Sequence, residues 1–177
     1  MTNYRRNFVL GGSFFFTVNL ADQRLRLLTD HIQALRSAFR YTKLRHPFRV
    51  DAIVVLPDHL HAIWTLPQGE ADFALRWRLI KATFSRGLRR MEPISSSRAR
   101  KGERRIWQRR YWEHTLRDEP DLARHIDYIH FNPVKHGHVG RVQDWPYSSF
   151  HRMVRLGLYP EGWAGEAEKE ATGFGER

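Results

Sequence analysis

Cysteine is absent from all 177 residues. That excludes a disulfide framework, a thiolate metal site and a cysteine nucleophile, and it fits a reducing compartment. No uninterrupted apolar run is long enough to cross a bilayer, and the opening MTNYRRNFVLGGS lacks the layout of a secretory signal. These two absences lead to the expectation of a soluble, cytoplasmic protein with no membrane partner. Acidic residues are also scarce, with 19 Asp and Glu against 30 Lys and Arg, a formal charge of +11. Such a balance points to a polyphosphate partner, most simply nucleic acid, with no small-molecule substrate, and membrane-surface binding is the weaker option.

The residues that are present allow one well-cored domain, since 41% are apolar and 13% aromatic. Charge divides the chain unevenly. Residues 161–177 hold five Glu against one Lys and one Arg, a local −3 that leaves +14 on residues 1–160. The expected organisation is a single domain over 1–160 followed by an acidic tail over 161–177. Within the domain, residues 92–110 form a Ser-rich and then basic loop without regular period, with seven Lys or Arg between Arg98 and Arg110.

Periodicity orders the rest. GGSFFFTVNL (11–20) reads as a strand, and residues 30–44 as a helix capped by Asp30, with Ile32, Leu35 and Phe39 inward. PFRVDAIVVLPDH reads as a second strand with Val50, Ala52, Val54 and Leu56 on one face. A Pro57-Asp58 turn then makes an antiparallel hairpin with a third strand. Residues 70–90 form the expected longest helix, buried along Phe73, Trp77, Ile80, Phe84 and Leu88, with Arg76, Arg78 and Lys81 among the cations on its other faces. WEHTLR (112–117) is a fourth strand. Asp118 caps a last long helix that Pro133 and Gly137 stop near Asn132, and a short helix follows around 147–155. The order β-α-β-β-α-β-α predicts an α+β fold, one ferredoxin-like antiparallel sheet with helices packed on it.

Chemistry-bearing residues stand out against this frame. In LPDHLHAIWTLP, His59 and His61 are two apart on a strand and share a face, while Leu60, Ala62, Trp64 and Leu66 take the other. Two imidazoles so placed can share a metal ion, or can be half-buried polar residues on a solvated sheet face. Tyr128 and Asn132 are four apart on the last long helix, one turn above the other. Each alone fits an ordinary helix position.

Together, His59-Leu60-His61 after VVLPD and Tyr128…Asn132 within DYIHFNPVKHG resemble the single-tyrosine HUH transposases. The stretches RDEPDLARHIDYIHFNPVKHG and YRRNF…GGSFFFTVNL resemble, within that group, the REP-associated tyrosine transposases, over residues 4–160. The resemblance implies a metal-dependent single-stranded DNA endonuclease and strand transferase. Tyr128 is then the nucleophile, and the product is a 5′-phosphotyrosine with a free 3′-hydroxyl. Three ligands, His59, His61 and the amide oxygen of Asn132, suit Mg²⁺ or Mn²⁺. The implied partner is single-stranded DNA carrying a REP-type hairpin, bound by a monomer or homodimer. Arg78, Lys81, Arg104, Arg105, Arg109 and Arg110 are candidates to straddle the stem, and Tyr4, Arg5 and Arg6 to read an unpaired strand. Two other readings compete. One is a non-enzymatic single-stranded nucleic-acid binder that stacks bases on Phe14, Phe15 and Phe16. The other is a metal hydrolase that uses water.

Overall fold

Strand β1 (Ser13–Asn19) enters the sheet from Gly11, whose φ of +65° is the left-handed turn conformation that glycine adopts without strain. The computed structural model describes residues 7–89, Arg100 and 104–165. Tyr4, Arg5, Arg6, most of the Ser-rich half of the basic loop and the tail beyond Gly165 lie outside the described residues. After β1 come a short helix α1 (Leu27–Asp30), helix α2 (Ile32–Arg45), the hairpin β2 (Arg49–Val55) and β3 (His59–Thr65), and helix α3 (Phe73–Arg86). Strand β4 (Trp112–Thr115), helix α4 (Glu119–Lys135), a 3₁₀ turn (Val142–Asp144) and helix α5 (Phe150–Arg155) complete it. All strand pairs are antiparallel and the sheet order is β2-β3-β1-β4, the expected ferredoxin-like α+β arrangement.

The two central strands are buried on both sides, and this positions the site. Phe14, Phe16 and Val18 of β1 and Leu60, Ala62 and Trp64 of β3 form one core with Phe73, Trp77, Ile80 and Phe84 of α3 and with Leu35 and Ala38 of α2. Trp64 and Trp77 stack there with ring centres 4.2 Å apart. On the opposite face, Phe15 and Ile63 meet Ala52, Val54, Leu56 and the α4 residues Tyr128 and Ile129. The face that carries the histidines is therefore closed by a helix.

Several local expectations are corrected. Val50 packs with the first core, apart from Ala52, Val54 and Leu56, because the β2–β3 register shifts between Val50 and Ala52 and reverses the alternation. Asp30 ends α1, and α2 begins after His31 without a side-chain cap. Arg76 is buried: its guanidinium donates to the carbonyls of Pro47 and Asp72 and to Glu70, tying α3 to the start of β2. The longest helix is α4, whose Asp118 cap accepts from the Asp121 N–H as expected. It runs through Pro133 in its last turn, without the one helix bond that a proline cannot donate. It ends at Gly137 (φ +70°), with Gly137 N–H donating to Val134 and His138 N–H to Pro133, a Schellman closure.

Candidate active site

The hairpin turn before β3 is fixed by backbone bonds from outside it. Leu20 N–H donates to the Asp58 carbonyl at 2.7 Å and Leu28 N–H to Pro57 at 3.1 Å. Strand alternation then aims His59 and His61 at α4, opposite Asn19 and Thr17 of β1. Both are buried, at 6% and 0% exposure. Each ring is held by its Nδ1, that of His59 donating to Asp58 Oδ1 at 2.9 Å and that of His61 lying 2.9 Å from Thr17 Oγ1. The bond to a carboxylate puts the proton on Nδ1 of His59 and leaves Nε2 with a lone pair. That Nε2 is buried with no hydrogen-bond partner among the described residues. Burial pushes the Asp58 carboxyl up, but the hydrogen bond from His59 holds it below its ordinary value.

Helix α4 supplies the other half. The Tyr128 ring lies 5.2 Å from His61 and 6.0 Å from Phe15, and the His136 ring lies 5.1 Å from His59. Tyr128, Asn132 and His136 follow one another at four-residue intervals, so the buried Asn132 lies on the turn between the contacts to His61 and His59. The structure thus brings His59, His61 and Tyr128 together and sets Asn132 on the same helix face.

Sequence reasoning missed Lys135. Its Nζ donates to Tyr128 Oη at 3.3 Å and lies 4.8 Å from the ring centre. The i, i+7 spacing from Tyr128 is two helical turns, and that was the signal available. It also missed Thr17 and Asp58 as partners of the histidines.

A second group of donors flanks the site on the other side of Phe15. Ligand atoms of His114, Asp121 and His125 lie within 4.8 Å of one another, a set able to take a cation. Here, though, Asp121 Oδ2 accepts from His114 Nε2 at 2.9 Å and from Arg117, and Oδ1 accepts from Arg124. Burial raises the Asp121 carboxyl, yet these donors hold it well below the usual carboxylate range. A cation entering would have to displace a charged donor, so the group is built to fasten the first turn of α4 to β4.

The candidate DNA contacts separate into two kinds. Arg78, Arg105, Arg109 and Arg110 are exposed. Lys81 Nζ instead donates to the Gln108 carbonyl at 3.0 Å and lies 5.6 Å from the Trp107 ring centre. Arg104 donates to the carbonyls of Ser85, Leu88 and Arg89 at the end of α3, which makes it a helix cap. Trp163, in the expected tail, packs against Phe150 and Tyr159. Phe14, Phe15 and Phe16 are fully buried, so none of them offers a face to an unpaired base.

Comparison with known proteins bears on the family and the fold. No family model matches the chain. A REP-associated tyrosine transposase of Escherichia coli (strain K12) is 47% identical over 173 residues, which cover 98% of this chain and 97% of that one. A Haemophilus influenzae protein bearing the same family name is 47% identical over 174 residues, covering 98% and 99%. The solved structure of a REP-associated tyrosine transposase bound to a REP hairpin superposes with a TM-score of 0.85 at 47% identity, over 100% of this chain and 98% of that one.

Proposed function

The chain belongs to the REP-associated tyrosine transposases, enzymes by family, and on that premise we propose that it cuts and rejoins single-stranded DNA beside a REP-type hairpin through a covalent phosphotyrosine. The observation that carries this reading is the buried contact between Tyr128 and His61, with Lys135 on the phenol oxygen. A tyrosine that served packing alone would not need a cation at its hydroxyl and an imidazole at its ring.

The donor set fits a divalent metal. Two histidines, each fixed through Nδ1, and an amide on the facing helix turn are mixed N/O ligands, and the orphaned His59 Nε2 is the atom that most requires a partner. His59, His61 and Asn132 would hold Mg²⁺ or Mn²⁺, which supplies charge neutralisation for the non-bridging phosphate oxygens when bound. The chain's own residues account for the rest. Tyr128 attacks phosphorus, the Oη–P bond forms as P–O3′ breaks, the phenol gives up its proton, and the 3′-oxyanion takes one up. Lys135 stabilises the phenolate left on Oη when the phenol gives up its proton. Phe15 and Ile129 exclude water from the tyrosine's flank, so the adduct persists long enough for a second 3′-hydroxyl to reverse the step.

The exposed arginines lie on or near α3, behind the opposite face of the sheet from Tyr128. In our reading a hairpin stem rests there, along Arg78 and Arg105, and the single strand rounds the β4 edge past Arg109 and Arg110 to reach the site. Residues 1–160 would act as one DNA-processing unit, with Tyr4, Arg5 and Arg6 available to an unpaired strand. A labelled hairpin oligonucleotide incubated with the protein and run on a denaturing gel tests this. A band shifted to the mass of the protein, lost in EDTA and restored by Mn²⁺, is expected. Cleavage without an adduct would return the water-using hydrolase, and retention without cleavage the simple binder.

A further inference from the structure

A cavity of about 630 Å³ opens beside the candidate metal site, on the side away from the nucleophile. Its walls are the end of β1 and the segment after it (Asn19, Gln23, Arg26), the Pro57-Asp58 turn with His59, and the residues that close α4 (His136, His138). Tyr128 and His61 do not line it. We propose that this cavity is the subsite for the nucleotide immediately 5′ of the scissile phosphate, the one released with a free 3′-hydroxyl. The proposal rests on the phosphotyrosine reading above.

The argument is one of alignment. Along α4, Tyr128, Asn132 and His136 succeed one another at about 6 Å per turn and a fraction, so Tyr128 and His136 stand roughly 12 Å apart. Along β3, His61 faces the tyrosine and His59 faces His136. The order is therefore nucleophile, metal ligands, cavity. Displacement at phosphorus is in line, with the entering and leaving oxygens on opposite sides. With phosphorus over His59 and His61 and Oη entering from the Tyr128 end, O3′ departs toward the cavity and carries its nucleoside with it. The 5′-phosphate remains with the tyrosine.

The cavity is suited to a nucleoside. The His138 ring stacks on Trp145 at 5.3 Å with 29° between planes and lies 6.2 Å from the His136 ring at the same angle. This gives a wall of flat rings, and the Schellman closure at Gly137 fixes the backbone that carries His138. Base-on-ring stacking tolerates any base. The amides of Asn19 and Gln23 offer both donor and acceptor to a base edge, and Arg26 offers positive charge to the next phosphate outward.

The test uses the full chain with hairpin oligonucleotides whose scissile phosphate has been mapped with the wild type. One oligonucleotide is abasic at the nucleotide just 5′ of that phosphate, another at the nucleotide just 3′. We expect the 5′ lesion to slow adduct formation by wild type roughly 5- to 100-fold, the range of one lost base stack. His138→Ala should show the same slow rate on intact and 5′-abasic DNA, and His138→Phe, which keeps a flat ring, should recover the difference. An independent readout is 2-aminopurine placed at the 5′ position in complex with the uncutting Tyr128→Phe protein. Its fluorescence should be quenched on binding, and less so when Arg26→Ala and His138→Ala are added. Wild type indifferent to the 5′ lesion, or His138→Ala as sensitive as wild type, overturns the subsite while leaving the phosphotyrosine chemistry in place. Failure of wild type to form any adduct overturns the chemistry itself.

Discussion

The two faces of β1 and β3 are built from alternate residues of the same strands, yet they do different work. Toward α2 and α3 the strands present Phe14, Phe16, Val18, Leu60, Ala62 and Trp64, a wholly apolar set whose contacts need no particular direction. Toward α4 they present Phe15, Thr17, His59, His61 and Ile63, buried as completely. Here the polar groups require partners: Thr17 for His61, Asp58 for His59, and a cation for the phenol of Tyr128. A buried polar atom without a partner is costly. In the proposed reading the metal is the partner of His59 Nε2. In the proposed reading one face carries the stability and the other the chemistry, with the same two strands as a common rigid support.

Two substitutions should separate the faces cleanly. Tyr128→Phe removes one hydroxyl and keeps the ring against Phe15 and His61. We expect the covalent adduct to vanish, a loss beyond 1,000-fold on the order typical of a lost nucleophile, with unfolding free energy changed by no more than about 1 kcal/mol. Trp77→Ala should do the opposite. It empties the stack under Trp64 and should cost about 3–5 kcal/mol in urea unfolding, while the protein that remains folded forms adduct at the wild-type single-turnover rate. If Tyr128→Phe unfolds the chain as badly as Trp77→Ala, the division between faces is wrong.

A third test uses pH on the stability side. His130, on α4 but turned away from the site, is fully buried among Phe150, Tyr159 and Trp163, with Nε2 3.1 Å from Ser149 Oγ. Desolvation, with the charges of Arg152 and His151, pushes its pKa down from 6.5 to about 4. The unfolded chain therefore takes up a proton at a pH where the folded one does not. The stabilisation is complete above about pH 6.5 and is lost as pH falls toward 4, by roughly 2–4 kcal/mol. Chemical denaturation at pH 7 and pH 4.5 should show the drop, and His130→Phe should flatten it. Adduct-forming chemistry at pH 7 should be unaffected, because this histidine touches none of the residues around Tyr128.

Much of this was legible in the residues. The alternation of β3 is strict, so the shared face of His59 and His61 followed from period two alone, and the one-turn relation of Tyr128 to Asn132 followed from the helix. The order of elements gave the sheet, and the motifs together gave the family. What could not be read was which layer lay against which face. A histidine face under a helix and one under water have the same strand sequence, and only the packing of α4 decides between them. The bulge that turns Val50 into the other core is a pairing irregularity with no marker in RVDA. Arg76 looked like an exposed cation, and Arg104 like a DNA-facing one, because they follow helix and loop charge patterns. Arg104 donates to backbone carbonyls 15–19 residues away and Arg76 to the Pro47 carbonyl 29 residues away, a tertiary fact.

The smallest of the expected effects concerns the cation on the chemical face. Lys135 is exposed, so its interaction with Oη of Tyr128 at 3.3 Å is largely screened. An ammonium at that distance in surroundings between water and a protein surface contributes about 1–2 kcal/mol toward charge on the oxygen. That corresponds to a fall of roughly 5- to 30-fold in adduct formation for Lys135→Met. Because Lys135 stabilises the phenolate from which attack starts, the loss should appear in the single-turnover rate at saturating DNA, with hairpin affinity nearly unchanged. Lys135→Arg keeps the charge and should keep most of the rate. Added salt should slow the wild-type step toward that of Lys135→Met while leaving Lys135→Met itself almost flat once binding is saturated. A lysine serving only to hold a phosphate would behave differently, weakening affinity and salt dependence of binding together. Should Lys135→Met raise the DNA concentration needed for half-saturation but cut at the wild-type rate when saturated, the residue belongs to the DNA grip and not to the nucleophile.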